Sequence, residues 1–251
     1  MAKVIVVGGG AAGMMAAYAA GMCGHQVTLF EKNEKLGKKI YITGKGRCNF
    51  TNACDVEDFF KNVVSNPKFL YSALYTFSPD SMIDFIEGHG IQTKVERGNR
   101  AFPLSDHASD ITKALDTGLR EYSVEVKLNS EIAGLVIEED TVRGVKLKND
   151  SICKADHVIV CTGGLSYNTT GSTGDGMKWA KSIGLVVTKC RPALVPLYTK
   201  EAYIRNMQGL SLKNVNLSIV DGKKKLYEAF GEMLFTHFGV SGPLVLSASS
   251  I

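Results

Sequence analysis

The chain has 251 residues, 45% of them hydrophobic, with 29 Lys and Arg against 25 Asp and Glu and a formal net charge of +4. That length and apolar content support one large domain or two smaller ones, and so small a positive charge does not point to nucleic acid. The six cysteines form no CxxC pair and no Cys/His cluster with zinc spacing, so no metal site is expected and a reducing, cytoplasmic compartment is.

Lys3–Val7 reads KVIVV, a β-branched run suited to a strand buried on both faces. Gly8, Gly10 and Gly13 then fill the positions of a GxGxxG turn, and the Ala- and Met-rich residues 14–23 read as a helix that Gly24 ends. Gln26–Phe30 is a second strand with Glu31 at its carboxyl end. Strand, glycine turn, helix, strand and acid together predict a dinucleotide site. Gly8 permits the tight turn, Gly10 the approach of a pyrophosphate, and Gly13 the close packing of helix on sheet. Ala11 and Ala12 offer N–H groups at the helix start, and Glu31 offers a carboxylate to both ribose hydroxyls while disfavouring a 2′-phosphate. Residues 4–23 imitate a signal peptide, but their glycines suit the turn better; no uninterrupted apolar run of about 18 residues exists, so no membrane span is expected.

Residues 32–52 are dense in Gly, Lys, Arg, Asn and Thr. Such a loop supplies N–H groups, amides and cations for a nucleotide, with Lys32, Lys39, Thr43, Gly44, Arg47, Cys48 and Asn49 as candidate contacts. From composition alone it reads equally as a solvated basic loop. Residues 55–88 read as helical with breaks at Asn66-Pro67 and at Ser78-Pro79, where Ser78 is an N-cap and Pro79 the first helical residue. Residues 91–102 predict a hairpin turning at Arg97-Gly98-Asn99, and residues 105–122 a helix. Four short β segments at 124–128, 131–137, 142–147 and 151–154 predict a meander, followed by a buried strand at 157–161 and Thr162-Gly163-Gly164. A short helix is expected at 175–183. Strands at 194–198, 210–220 and 225–235 mark a change of character, so residues 1–190 are expected to form one domain and 191–251 the beginning of a second, β-rich one.

The run GKKIYITGKGRCNFTN (residues 37–52) resembles the signature of the flavoprotein family that includes aminoacetone-oxidase-like proteins and BaiN-type bile-acid reductases. GSTGDG at 171–176 and GEMLFTHFGVSGP at 231–243 resemble two further segments of that family, so the likeness runs through essentially the whole chain. The resemblance implies an α/β fold of the glutathione-reductase type: an FAD-binding Rossmann domain with a β-meander, plus an inserted β-rich substrate-side domain. It implies FAD as cofactor, with backbone near Ile132 against the adenine and Thr162, Gly163 and Gly164 on the pyrophosphate side. It also implies a family chain that continues past residue 251 and returns to the flavin, so the isoalloxazine half of the site is expected to be incomplete here.

The function so implied is an FAD-dependent oxidoreductase acting on a small molecule, by enone reduction or amino-ketone oxidation. NAD(P)H is a candidate transient electron donor, though no second GxGxxG unit is present. Asn49 is a candidate for polarising a substrate carbonyl, and Arg47 for the same task or for holding the flavin. His237 reads either as a proton donor or as a hydrogen-bonded structural residue. Two alternatives remain. One is a flavin-dependent RNA-modifying protein using Lys35, Lys38, Lys39, Lys45 and Arg47 as phosphate contacts, against which the small net charge argues. The other is a nucleotide-binding fragment without catalysis.

Overall fold

A computed structural model describes residues 1–251. The chain divides into two compact units, one of Met1–Phe60 and Lys68–Val187, the other of Lys61–Pro67 and Thr188–Ile251.

In the first unit β1 (Lys3–Val7) leads through Gly8-Gly9-Gly10 into α1 (Ala11–Met22) and on to β2 (Gln26–Phe30). The helix starts three residues before the position expected from its Ala/Met run, so the last glycine of the fingerprint lies inside its first turn. A short strand β3 (Thr51–Asn52) and three helices follow, α2 (Val56–Lys61), α3 (Tyr71–Thr76) and α4 (Pro79–Gly88). Ser78 caps α4 as expected, accepting a hydrogen bond from the Ser81 N–H at 3.1 Å. β4 (Thr93–Glu96) and β5 (Arg100–Pro103) form the expected hairpin, with Gly98 and Asn99 both at positive φ in its turn. Then come α5 (Ala108–Glu121), β6 (Glu125–Lys127), β7 (Ile132–Glu138), β8 (Thr141–Leu147), β9 (Ile152–Lys154), β10 (His157–Val160) and α6 (Asp175–Ser182).

A parallel sheet of order β10-β1-β2-β6 positions the site. The segment around Val126 is not the first strand of the meander; as β6 it joins the edge of the parallel sheet beside β2, because α5 carries the chain across the sheet as a βαβ crossover. The meander is therefore the three antiparallel strands β7-β8-β9.

The unbroken apolar run of β1 follows from layers on both its faces. Val4 and Val6 pack with Leu29, Met14 and the Ile111, Leu115 and Leu119 face of α5. Ile5 and Val7 pack on the other side with Phe30, Ile132 and Val145 of the meander. Fully burying each such side chain contributes about 1.5–3 kcal/mol. The carboxyl ends of β1, β2 and β10 are thus held between a helical layer and a meander layer.

In the second unit β11 (Leu197–Tyr198), β12 (Ser211–Asp221), β13 (Lys224–Phe235) and β14 (Gly239–Ser241) form an antiparallel sheet of order β11-β14-β13-β12, followed by α7 (Pro243–Ala248). The two long strands stand where alternation placed them. β14 and α7 escaped the sequence reading because three and six residues carry too little periodicity. α7 exists by packing: it buries Leu244, Val245 and Ala248, and Leu244 lies against the bare backbone of Gly231. No helix of the chain is long and apolar enough to cross a membrane.

Candidate functional site

The glycine turn after β1 is built by close backbone contacts. Gly8 adopts φ +106°, and a Cβ there would lie 2.4 Å from the Cys161 carbonyl oxygen. A Cβ on Gly9 would lie 2.4 Å from the Leu36 side chain. Gly10 differs. Its φ of −81° suits any residue, and a Cβ there would meet nothing within 4 Å. Gly10 faces a cleft of about 510 Å³ together with Gly8, Ala11 and Ala12. As N-cap of α1 it offers no side chain to the first turn, so the free N–H groups and the positive end of the helix dipole are left to the cleft.

Glu31 directly follows β2 beside the glycine turn and is 7% exposed. Its Oε2 accepts the Gly9 N–H at 2.6 Å, and its Oε1 accepts the Asn33 backbone N–H at 2.8 Å and side-chain amide at 2.7 Å. These bonds fill three of about four acceptor directions of a carboxylate, which leaves room for one further donor.

The GSTGDG segment forms a third wall. Gly171 has φ +100°, and a Cβ on it would lie 2.8 Å from the Asn33 amide nitrogen and 3.1 Å from Cε of Lys32. Lys32 donates to Thr173 Oγ1 at 2.8 Å and to Asp175 Oδ2 at 2.9 Å. Burial pushes the Asp175 carboxyl up, but hydrogen bonds from Thr173, Lys32 and Lys178 outweigh it and bring it down to about 2. Lys39 donates to the Ser172 hydroxyl at 2.7 Å and the Ser166 carbonyl at 2.8 Å, and burial lowers its pKa. Gly176 donates its N–H to Thr162 Oγ1 at 3.0 Å, tying the start of α6 to the end of β10.

Of the residues expected at the site, Gly8, Gly10, Ala11, Ala12, Glu31, Lys32, Lys39, Thr43, Ile132, Thr162 and Gly163 line this cleft. Gly13 lies behind the turn, and Gly164 is not part of the lining. Four loop residues expected as ligands are engaged elsewhere. Arg47 forms ion pairs with Glu96 and with Asp106, whose Oδ1 lies 2.7 Å from Nη2, and its guanidinium stacks 4.2 Å over the Phe102 ring. The Cys48 thiol is buried, which pushes its pKa up to about 11. The Asn49 amide donates to the carbonyls of Thr51 and Ala101 at 2.8 and 2.9 Å, so it holds the loop to β5 instead of facing the cleft. Gly44, at φ +57°, turns the chain ahead of these residues, where a Cβ would lie 3.2 Å from the Asn49 backbone nitrogen. His237 stands exposed in the second unit, at the β13–β14 turn, edge-on to Phe238.

The cleft also contains residues the sequence reading did not select: Asn33, Ser130, Glu131, Ser172, Asp175 and Trp179. Asp175 sits in a recognised motif and Asn33 two residues past the strand-end acid, so both carried a signal. Trp179 carried none. It reaches the cleft because its indole N–H donates to the Ala133 carbonyl at 3.1 Å.

Parallel strands with a glycine turn and an acid at the end of the second strand define a dinucleotide-binding Rossmann fold, here with a meander packed on one face. The chain belongs to the HI0933-like family: the HI0933-like protein Rossmann domain is matched over residues 2–245. It is 32% identical over 253 residues to a 3-dehydro-bile acid delta(4,6)-reductase of Clostridium scindens. It is 31% identical over 250 residues to a ribosomal RNA dihydrouridine synthase of Haemophilus influenzae, and 33% over 246 residues to one of Escherichia coli. These alignments cover 98–99% of this chain and 60% of each relative, so the chain spans about three fifths of their length. Among solved structures, a flavocytochrome c3 fumarate reductase matches with a TM-score of 0.61 at 22% identity, over 85% of this chain and 47% of that one. A 3-ketosteroid delta1-dehydrogenase from Sterolibacterium denitrificans matches with 0.60 at 17%, over 85% and 62%. At such identities the likeness is one of fold.

Proposed function

We propose that the cleft of the first unit holds the ADP part of FAD, and that the protein is an FAD-dependent oxidoreductase that reduces a carbon–carbon double bond conjugated to a carbonyl. Gly10 carries the first half of this reading. Neither its backbone conformation nor any protein atom requires glycine there, so the space a Cβ would enter is kept for a ligand. The open N-terminus of α1 suits a pyrophosphate, and the remaining acceptor direction of Glu31 suits a ribose hydroxyl. Accepting both hydroxyls, as the sequence reading had it, requires the Asn33 amide to leave Oε1. Bound FAD supplies hydride exchange at its isoalloxazine, and the protein's part is to bind, orient and shield.

The second half rests on the names of the relatives. Dihydrouridine differs from uridine by reduction of a double bond conjugated to a ring carbonyl, and a delta(4,6)-reductase of a 3-oxo steroid acts on the same kind of bond. That shared chemistry favours enone reduction over amino-ketone oxidation. NAD(P)H is the proposed electron donor, residues 191–251 part of the substrate-side domain, and His237 the candidate proton donor.

RNA as substrate is the second reading. Two relatives carry names of that kind, and Thr188–Ile251 holds eight Lys and Arg against four Asp and Glu, so the chain's positive charge is concentrated there.

The test begins with an absorbance spectrum of the purified protein, chromatography of any nucleotide released by heat, and a titration with ADP. A flavin spectrum with released FAD, or saturable uptake of ADP, supports the cleft. A colourless protein that takes up neither ADP nor FAD overturns it. Steeply salt-dependent binding of ribosomal RNA fragments would favour the second reading over a small-molecule substrate.

A further inference from the structure

We infer that Asp175 and Thr173 set the nucleotide selectivity of the cleft: they hold the Lys32 ammonium, so that the site takes an adenine nucleotide with a free ribose 2′-hydroxyl and rejects one with a 2′-phosphate. The inference deepens the nucleotide reading of the cleft and rests on it.

The end of β2 carries opposed signals. Glu31 repels a phosphate on the ribose, but the next residue is a lysine, and a cation beside the ribose acid is the chemistry that accommodates a 2′-phosphate. The chain order of these two residues does not say which prevails. The GSTGDG wall decides it. Gly171 lets that segment come within contact of both Lys32 and Asn33, and Asn33 in turn holds Glu31, so the wall touches two strand-end residues directly and the third through Asn33. There the Lys32 ammonium donates to Thr173 and Asp175, and the Thr173 hydroxyl donates to the same Asp175 oxygen at 2.7 Å, closing a three-membered network. Lys32 and Asp175 side chains are 24% and 22% exposed, so solvent screens the pair only partly. The cation is neutralised and two of its three donors are occupied. Of the two adjacent strand-end charges, the one left to meet the ribose is then the Glu31 carboxylate. A site so arranged keeps a nicotinamide donor bearing a 2′-phosphate out of the place of the resident cofactor.

The experiment measures binding of ADP and of 2′-phospho-ADP to the purified chain, by the fluorescence of its single tryptophan, Trp179, and by calorimetry. Wild type is expected to prefer ADP. Asp175→Asn removes the charge that neutralises Lys32 and should reduce that preference on the order of tenfold, the worth of one charge-assisted hydrogen bond to phosphate. Adding Lys32→Gln to Asp175→Asn should restore it. If Asp175→Asn fails to fold by circular dichroism, Asp175→Ser, which keeps a hydrogen-bonding group at the start of α6, takes its place. An unchanged preference in the folded variant, or a reduced preference that Lys32→Gln does not restore, overturns the selectivity role while ADP binding still supports the cleft. A wild type that binds neither nucleotide overturns both.

Discussion

A Cβ placed on Gly13 would lie 1.7 Å from the carbonyl oxygen of Gly8. The third glycine of the fingerprint therefore serves the fit of α1 against the end of β1, while Gly10, three residues earlier, borders open space. The two glycines should fail differently. Gly13→Ala forces backbone apart and is expected to cost about 3 kcal/mol, the upper end for overpacking, with nucleotide binding lost as the turn shifts. Gly10→Ala is expected to change stability by less than about 1 kcal/mol yet to lose most ADP affinity. Urea denaturation and ADP titration of the two variants separate these outcomes; equal losses of stability would refute the assignment.

Arg47 ties the glycine loop to the β4–β5 hairpin through Glu96 and Phe102, and to the turn that follows it through Asp106. The hydrogen bond from Arg47 holds the Glu96 carboxyl below its ordinary 4.5, and those from Lys94 and Arg47 hold Asp106 below 3.8. Acids depressed in the folded state add stability that is present above their ordinary values and is lost as pH falls through the folded ones. Arg47→Met should thus melt below wild type at pH 7, with the gap closing as pH drops below those ordinary values. Melting curves across that range check it; a gap independent of pH would assign the effect to the Phe102 contact.

Cysteine reactivity should report the cleft. Cys23 and Cys190 are exposed, whereas burial pushes the Cys48 thiol to about 11 and raises that of Cys161. Alkylation at pH 8 followed by mass spectrometry should label the first two quickly and Cys48 slowly, since the thiolate is the reactive form. Cys161 borders the cleft, so saturating ADP should slow its labelling further. Protection of Cys23 by ADP, without protection of Cys161, would place the nucleotide elsewhere.

Trp179 is the chain's one tryptophan and faces the cleft. Its emission should change saturably with ADP. Trp179→Phe removes that signal and also the hydrogen bond to Ala133, and should weaken ADP binding by no more than about tenfold. A wild-type emission insensitive to ADP, while calorimetry records binding, would move the site away from α6.

The sequence by itself determined the parallel sheet's core and the glycine turn, since these depend on local rules: a doubly buried strand must be apolar throughout, and a tight turn onto a helix must be glycine. It also determined the hairpin, the cap of α4 and the two long strands of the second unit, each announced by neighbouring residues. Tertiary structure alone decided which side chains face the cleft. Arg47 and Asn49 look like ligands in a basic, glycine-rich loop, but the hairpin that satisfies them lies some fifty residues further along the chain. Lys32 looks like a phosphate cation until Asp175, more than a hundred residues away, is folded against it. A charge or an amide goes to whichever partner the fold brings within hydrogen-bond reach, and sequence spacing carries no record of that distance.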